Sequence, residues 1–372
     1  MRPRIAVIAD SPDENWPSMD LVAEMLVKEW RTTLASEVDA EKIEWAIPNA
    51  VRRVSSDRRA FTVDRILGRF GRFPLHAALS RRRFDFFHVA DHTYAQLVHV
   101  LPADRTGVYC HDLDAFRSLL EPEKEPRSAA FRTMVQVQLA GLRRARLVFH
   151  STREVGRRLA SIVDPTRLVY APYGLSPEYT GEADPNDGAD QILASLEGAP
   201  FVLHVGSSVP RKRLDVLFEV FAKLHARRPE LRLVQQGAKL SDVQREQTRR
   251  LGIASAIFQP PKLERRTLAG LYRRARAVLL TSDAEGFGLP VLEALACGAP
   301  VVASALPTTM EVGGAATAFV PIADVSAFVD AVERYLDDDS YEAKSRRIEQ
   351  ARKFSWKAHA EVILGAYRAL VG

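Results

Sequence analysis

Cysteine is scarce in this sequence, since the 372 residues include only two, Cys110 and Cys297. They lie far apart along the chain and form neither a disulfide framework nor a metal-binding spacing. Such a composition suits a reducing compartment, and we expect the cytoplasm. The N-terminus leads straight into a predicted strand without a long apolar region or a cleavage signal, so we predict no secretion signal.

Long apolar runs and a large excess of one charge are also missing. No run approaches the length that is needed to span a bilayer, which argues against a transmembrane helix. The 52 Lys and Arg residues nearly balance the 47 Asp and Glu residues, and the formal net charge is +5. The length is sufficient for two domains of ordinary size, each with its own core.

The clearest local pattern is a strand, a loop, a helix and a second strand. The apolar run 277–280 predicts a strand buried on both faces, as in a parallel sheet covered by helices. A helix is predicted over 289–297, with Pro290 in its first turn and Gly298 as a left-handed cap. Val301 begins the next strand. The loop before the helix lies at the end of the strand where α/β folds bind ligands.

Two glutamates flank this loop and helix, Glu285 and Glu293, with seven residues between them. Free amides at a helix N-terminus bind phosphate. Here they would be those of Gly286, Phe287, Gly288 and Leu289. Glu285 would then contact the hydroxyls of a sugar on that phosphate, and Glu293 those of a ribose. The pattern predicts a nucleotide-sugar site; the alternative is a solvated Glu285 and an exposed Glu293 in an ion pair.

The segment from Glu285 to Glu293, EGFGLPVLE, resembles the E-x7-E motif of the family-four retaining glycosyltransferases of the two-Rossmann-domain (GT-B) type. The resemblance extends over nearly the whole chain and is strongest from Phe201 to Pro321. It implies an α/β fold with two Rossmann-like domains and the active site in the interdomain cleft. It also implies a nucleoside-diphosphate sugar as donor, retention of configuration, and no cofactor or metal.

A basic turn follows the predicted strand 201–205. Glycine at a strand end, with Arg and Lys at the start of the next helix, offers fixed positive charge for a diphosphate. The donor-binding candidates of this turn are Gly206, Ser207, Arg211 and Lys212. The resemblance implies that Lys212 pairs with the donor's diphosphate and makes Arg211 a second partner. Ser207 stands where many members have arginine, so Arg211 or Arg213 would have to supply the second cation. The alternative is a solvated basic turn.

Histidine follows a predicted strand of the N-terminal half, at His111. A side chain at the carboxyl end of a parallel strand faces the ligand crevice. The resemblance implies that His111 contacts the donor sugar, with a structural histidine as the alternative and His92 as a weaker candidate. Asp112 and Asp114 have a D-x-D spacing that could hold a metal ion, but we expect one of them to cap a helix instead.

The glycine-rich loop that many glycosyltransferases of this fold carry after their first strand is absent. Residues 11–18, SPDENWPS, occupy its place. Glu14, Trp16 and Ser18 are candidates for acceptor contacts only because of this position.

Arginine is concentrated between Val51 and Phe84, where ten arginines stand against two aspartates. Such a basic stretch with interleaved apolar residues could lie on an anionic membrane, which would place the protein peripherally on the inner face. The alternative is a set of surface helices with solvated arginines and apolar residues that face the core. No nucleic-acid module accompanies the arginines, so we expect no nucleic acid partner.

We predict an acceptor domain over 1–175, with the C-terminal helix 357–372 packing back on it, and a donor domain over 200–356. Residues 176–199 are rich in Asp, Gly, Pro and Ala, which predicts a surface linker. The acidic run 337–339 is predicted to be solvated loop.

The predicted reaction is sugar transfer to a hydroxyl of a saccharide or lipid-linked acceptor in cell-surface polysaccharide or glycolipid biosynthesis. Glu285, His111 and Lys212 would be the catalytic residues. One alternative is a sugar-nucleotide epimerase of the same fold, which would need an acid and a base beside a ring carbon. Another is a non-catalytic nucleotide-sugar binder, which the serine at 207 leaves open.

Overall fold

The computed structural model describes residues 2–14, 16–54, 57–336 and 340–371, so the acidic run 337–339 lies outside the described residues. The chain forms two compact units. The first comprises Met1–Gly174 together with Ser355–Gly372, and the second comprises Leu175–Phe354.

The first unit contains a six-stranded sheet in which every pairing is parallel and the order is β2-β1-β3-β4-β5-β6. Its strands are β1 (Arg4–Ile8), β2 (Asp39–Ile43), β3 (Phe86–Val89), β4 (Thr106–Cys110), β5 (Leu147–His150) and β6 (Leu168–Tyr170). Strands β3, β4 and β5 are buried along their whole length, as expected where helices cover both faces of a parallel sheet.

The described residues before Gly174 include six α-helices. They are α1 (Pro17–Arg31), α2 (Arg58–Leu67), α3 (Phe73–Ser80), α4 (Arg117–Leu120), α5 (Ala129–Arg144) and α6 (Arg153–Leu159). A π-helical turn, Gly68–Arg72, joins α2 to α3, so residues 58–80 form one helical segment.

The second unit contains another parallel six-stranded sheet, in the order β12-β11-β10-β7-β8-β9. Its strands are β7 (Phe201–Val205), β8 (Arg232–Gln236), β9 (Ile257–Phe258), β10 (Ala277–Leu280), β11 (Val301–Ser304) and β12 (Ala318–Val320). The helices are α7 (Ala189–Ala194), α8 (Leu214–Arg227), α9 (Asp242–Arg250), α10 (Arg265–Arg274), α11 (Leu289–Ala296), α12 (Pro307–Gly313), α13 (Val325–Leu336) and α14 (Tyr341–Ala351). This strand order is that of a Rossmann fold.

The last helix, α15 (Trp356–Arg368), belongs to the first unit. Trp30 Nε1 donates a hydrogen bond to Ala360 O at 3.1 Å, and Tyr367 Oη donates to Phe87 O at 3.0 Å. Both aromatic side chains are fully buried, so α15 completes the packing of this unit.

The two parallel sheets with their helices confirm the predicted α/β class with two Rossmann-like domains. Residues 176–199, for which the sequence predicts a linker, include α7 and the buried Asp187, which pairs with Arg273 at 2.8 Å and with Arg274 at 2.9 Å. Among the described residues, no helix combines the length and the apolar character that crossing a bilayer would require.

Candidate active site

The candidate site lies where two loops meet at the carboxyl end of the second sheet. Strands β7 and β10 are neighbours there although they are not consecutive, so the strand order reverses between them. Ligands of open α/β sheets bind at such a point. Asp283 N, after β10, donates to Arg211 O, after β7, at 2.9 Å. Thr281 Oγ1 donates to Lys212 O at 3.1 Å.

Lys212 and Glu285 form a buried ion pair between these loops. Lys212 Nζ lies 2.6 Å from Glu285 Oε1, and the two side chains are 10% and 6% exposed. Ser282 Oγ donates to the same carboxylate oxygen at 2.6 Å. Burial alone would raise the pKa of Glu285, but Lys212 and then Arg211 hold it below its ordinary value. The carboxylate is therefore ionised at neutral pH.

Arg211 adds a second cation to this pair. Its NH1 donates to Ala284 O at 3.0 Å and lies 3.3 Å from Glu285 Oε2. Arg213 adopts a left-handed conformation with φ of 49° and pairs with Asp215 at 2.7 Å. Of the two arginines proposed to replace the missing cation at position 207, Arg211 is thus the one in contact with Glu285.

The turn at Gly206 and Ser207 offers a ligand one small polar side chain, that of Ser207. Ser207 is exposed, and Gly206 N donates to Gln236 O at 2.9 Å. Gly237, with φ of 148°, approaches so closely that a Cβ there would lie 1.9 Å from Gly206 O. The glycine at 237 therefore lets the turns after β7 and β8 pack against each other.

The predicted phosphate-binding amides, Gly286 to Leu289, lie immediately before and at the start of α11. Gly288 has φ of 96°, and a Cβ there would lie 3.2 Å from Thr309 Cγ2. The buried Phe287 ring packs edge-on against Phe354, with the ring centroids 5.7 Å apart. The phenylalanine thus anchors the loop while glycines on both sides keep its backbone free of bulk.

Glu293 lies inside α11 and is buried, which excludes the alternative of an exposed, ion-paired residue. Tyr272 Oη donates to Glu293 Oε2 at 3.0 Å. Burial raises the pKa of Glu293 to about 7 in spite of hydrogen bonds from Tyr272 and Tyr179. The rings of the two tyrosines pack edge-to-face at 5.9 Å. Sequence reasoning found Glu293 but missed both tyrosines.

His111 lies at the end of β4 in the first unit and is fully engaged within it. Its Nε2 lies 2.8 Å from Ala90 O, and its Nδ1 hydrogen-bonds to Tyr173 Oη. Since a carbonyl can only accept, Nε2 carries the proton and Nδ1 accepts from the tyrosine. Burial lowers the pKa of His111 to about 4, so the imidazole is neutral. His92 is also buried, and its Nδ1 lies 3.4 Å from His111 N.

The aspartates with D-x-D spacing form a local turn. Asp114 N donates to Asp112 Oδ1 at 2.9 Å, at the start of a short 3-10 helix. No group of three or more His, Cys, Asp or Glu side chains arranged to hold a metal ion occurs in the part of the chain that the structure describes.

The loop after β1 is held by a buried ion pair that the sequence did not predict. Arg69, from the π-helical turn, donates through Nε to Glu14 Oε1 at 2.7 Å, and its NH2 contacts Oε2. Arg65 Nε lies 3.0 Å from the same glutamate. Trp16 and Ser18 are exposed. Of the three candidates for acceptor contacts, Glu14 is therefore the one that fixes the loop itself.

Two carboxyl groups meet where the strand order of the first sheet reverses, after the neighbouring strands β1 and β3. Asp10 is buried, and burial together with Asp91 raises its pKa to about 10, so Asp10 is protonated at neutral pH. Asp91 Oδ1 accepts from Thr93 N at 2.6 Å. An acid two residues after the end of each of two adjacent strands was the signal that could have predicted this pair.

Comparisons with known proteins find relatives of the second unit. Residues 187–354 match the model of the family described as glycosyl transferases group 1. D-inositol 3-phosphate glycosyltransferase of Kribbella flavida is 34% identical over 48% of this chain and 46% of its own length. O-antigen chain mannosyltransferase B of Escherichia coli is 32% identical over 46% of each chain. The chain thus spans about half the length of these curated relatives.

A solved structure shares the fold along the whole chain. HepE from Anabaena, in complex with UDP, has a TM-score of 0.71 and 15% identity, covering 99% of this chain and 100% of its own. At this identity the likeness concerns the fold alone.

Proposed function

We propose that this protein, whose residues 187–354 match the model of the glycosyl transferases group 1 family, transfers a sugar from a nucleoside-diphosphate sugar to an acceptor hydroxyl with retention of configuration. The observation that carries the proposal is the contact between Lys212 and Glu285, whose charged atoms lie 2.6 Å apart. Lys212 is a cation that suits a diphosphate, and Glu285 is an acid that suits sugar hydroxyls. They meet where the strand order of the sheet reverses, which is where α/β folds bind ligands.

The main chemical task is the departure of a doubly charged diphosphate. The bond from the anomeric carbon to the diphosphate oxygen breaks, and a bond from that carbon to the acceptor oxygen forms. In the proposed mechanism the departing phosphate takes the acceptor's proton. Lys212 and Arg211 would stabilise the developing charge, aided by the amides that open α11. Because Lys212 is 10% exposed, its charge acts through little water. These cations make a metal ion unnecessary for the proposed step.

Glu285 would exchange its partners when donor binds. In the structure its carboxylate neutralises Lys212 and Arg211. A diphosphate placed beside these cations would replace that carboxylate as their counter-charge. Glu285, ionised at neutral pH, could then accept hydrogen bonds from the donor sugar.

Glu293 and His111 complete the proposed site residues. The carboxyl group of Glu293 would hold ribose hydroxyls, with Tyr272 fixing one of its oxygens at 3.0 Å. His111 would contact the sugar as a neutral imidazole, which requires exchange of one of its two present hydrogen bonds.

Substrate classes are proposed from the relatives. HepE binds UDP, so UDP-sugars are the first donors to test. The mannosyltransferase acts on an O-antigen chain by its name, and we propose a saccharide or lipid-linked acceptor of cell-surface polysaccharide or glycolipid synthesis.

Incubation with radiolabelled nucleotide sugars and cell-envelope extract tests this function. Transfer predicts label in a larger product that depends on both protein and extract. An altered free nucleotide sugar would indicate an epimerase, and unchanged bound donor would indicate a binder. Either of these results, with no larger product for any common nucleotide sugar, would refute the proposal.

A further inference from the structure

We propose that the helical segment 58–80 is a docking surface for a membrane that contains anionic lipids. The surface consists of an exposed apolar stripe, formed by Val63, Ile66, Leu67, Leu75 and Leu79, and of exposed arginines around it. It lies entirely within the first unit. The inference goes beyond the proposed sugar transfer and does not depend on it.

This segment differs from an ordinary surface helix, which buries its apolar face and exposes its charged residues, because it exposes large apolar side chains and buries two charged ones. Leu75 is 60% exposed and Leu79 is 74% exposed. By contrast, Asp64 is fully buried and Arg69 is 6% exposed. The buried charges are satisfied internally, since Asp64 accepts from Val51 N at 2.8 Å and Arg69 pairs with Glu14. Nothing in this packing accounts for the leucines on the outside.

The π-helical turn keeps the apolar residues in one line. The buried positions Ala60, Asp64 and Gly68 are four residues apart, the next, Phe73, is five residues on, and Ala77 follows after four. A π turn holds one residue more than an α turn, which accounts for the longer step. The inward face is thereby kept along the segment, and the outward residues from Val63 to Leu79 form one stripe about 24 Å long.

The arginines of this region divide into two groups. Of the arginines whose side chains the structure describes, four are paired with carboxylates, namely Arg52 with Asp64, Arg65 and Arg69 with Glu14, and Arg83 with Glu41. Other exposed arginines have no carboxylate partner among the described residues. These are Arg53, Arg59, Arg72, Arg81 and Arg82. The apolar stripe is therefore bordered by uncompensated positive charge.

This combination selects an anionic bilayer over a second copy of the chain. A symmetric dimer through the stripe would bring the same arginines of both copies together. Anionic headgroups instead neutralise them, while leucine and valine side chains enter the boundary of the acyl region. A helix that lies in the interface in this way does not need the length of a spanning helix.

Sedimentation of the full-length chain with vesicles tests the proposal. We expect binding to vesicles of phosphatidylcholine and phosphatidylglycerol in equal parts, and little binding to phosphatidylcholine alone. Arg81→Gln with Arg82→Gln should weaken binding about 25-fold, since each arginine contributes about fivefold. Leu75→Glu with Leu79→Glu should weaken it about 100-fold or more, because both leucines lose an apolar environment.

Matched substitutions on the second unit serve as controls. Val243 is 80% exposed and Arg250 is exposed, so Val243→Glu and Arg250→Gln make the same chemical changes elsewhere. They should leave vesicle binding unchanged. Circular dichroism and unfolding midpoints should be the same for all variants, since every altered side chain is at the surface. Equal binding by the leucine variant, equal binding to neutral vesicles, or a dimer in solution that Leu75→Glu dissociates without affecting vesicle binding would each overturn the proposal.

Discussion

Replacement of Lys212 by methionine is the most direct test of the candidate site. The substitution keeps much of the apolar stem and removes the charge. Glu285, 6% exposed, would retain Arg211 at 3.3 Å and Ser282 at 2.6 Å as partners. Its carboxylate would thus stay buried with the closer of its two cations gone.

The expected loss of stability follows from that remaining charge. Removing one partner of a buried pair costs about 3–5 kcal/mol, and the remaining Arg211 should reduce this to about 2–3 kcal/mol. The acid side of the pH profile should also flatten. A lowered pKa of Glu285 gives stability that is present above its ordinary pKa of 4.5 and lost as pH falls through the lower value in the folded protein. Without Lys212, the pKa of Glu285 should rise and this contribution should disappear.

Stability and turnover should separate in a double variant. Lys212→Met should slow transfer about 100-fold or more, since it removes a preorganised donor to the leaving group. Adding Glu285→Gln should restore most of the stability, because no buried charge is then left without its partner, but it should not restore turnover. Denaturant unfolding and the radiolabel transfer assay measure the two effects. Wild-type turnover in Lys212→Met, or a double variant less stable than the single one, would refute the reasoning.

Three further predictions concern other parts of the chain. Burial raises the pKa of Glu293 from its ordinary 4.5 to about 7, so the folded state keeps a proton that the unfolded state loses, and stability should fall as pH rises between these values. Glu293→Gln should abolish this slope in unfolding measured across pH, and an unchanged slope would contradict the assignment. Arg69→Met should cost about 3 kcal/mol in denaturant unfolding, since it leaves Glu14 buried with Arg65 alone. Adding Glu14→Gln should recover most of the loss, and failure to recover would mean that Arg69 acts by packing. Gly288→Ala should cost about 1–2 kcal/mol because φ is positive there, while Gly365→Ala in α15, where no atom lies near the added carbon, should cost nothing. Equal effects of the two glycine substitutions would exclude backbone strain.

The sequence assigned Lys212 and Glu285 to one donor site, and the topology of the sheet accounts for their contact. Two loops that follow strands of one parallel sheet lie at the same edge, and a Rossmann order makes the first and fourth strands neighbours. Residues 187–354, which include the segment from Glu285 to Glu293, match the model of the glycosyl transferases group 1 family. The sequence also predicted the left-handed cap at the end of α11, where Gly298 has φ of 78°.

The residues that contact Glu293 and Glu14 could not be predicted from the sequence, because these contacts depend on tertiary packing. Tyr179 and Tyr272 approach Glu293 from segments far away in the chain, and no local pattern marks them. Arg69 lies inside a π-helical turn and is buried, and a regular 3.6-residue period cannot show such a turn or the one-residue shift that follows it. The same shift explains why Leu75 and Leu79 are exposed, whereas a surface helix of ordinary polarity would have them face the core.

The two glutamates of the motif differ chemically although they belong to one short segment. Glu285 lies between two cations, which hold its pKa low, whereas Glu293 lies among tyrosines, and burial raises its pKa to about 7. At neutral pH the first can therefore counter positive charge, while a large fraction of the second is protonated and can donate a hydrogen bond. Environments that push the pKa values of paired acids apart assign them different roles. Glutamine is thus a closer mimic of Glu293 than of Glu285, and it should be tolerated better at position 293.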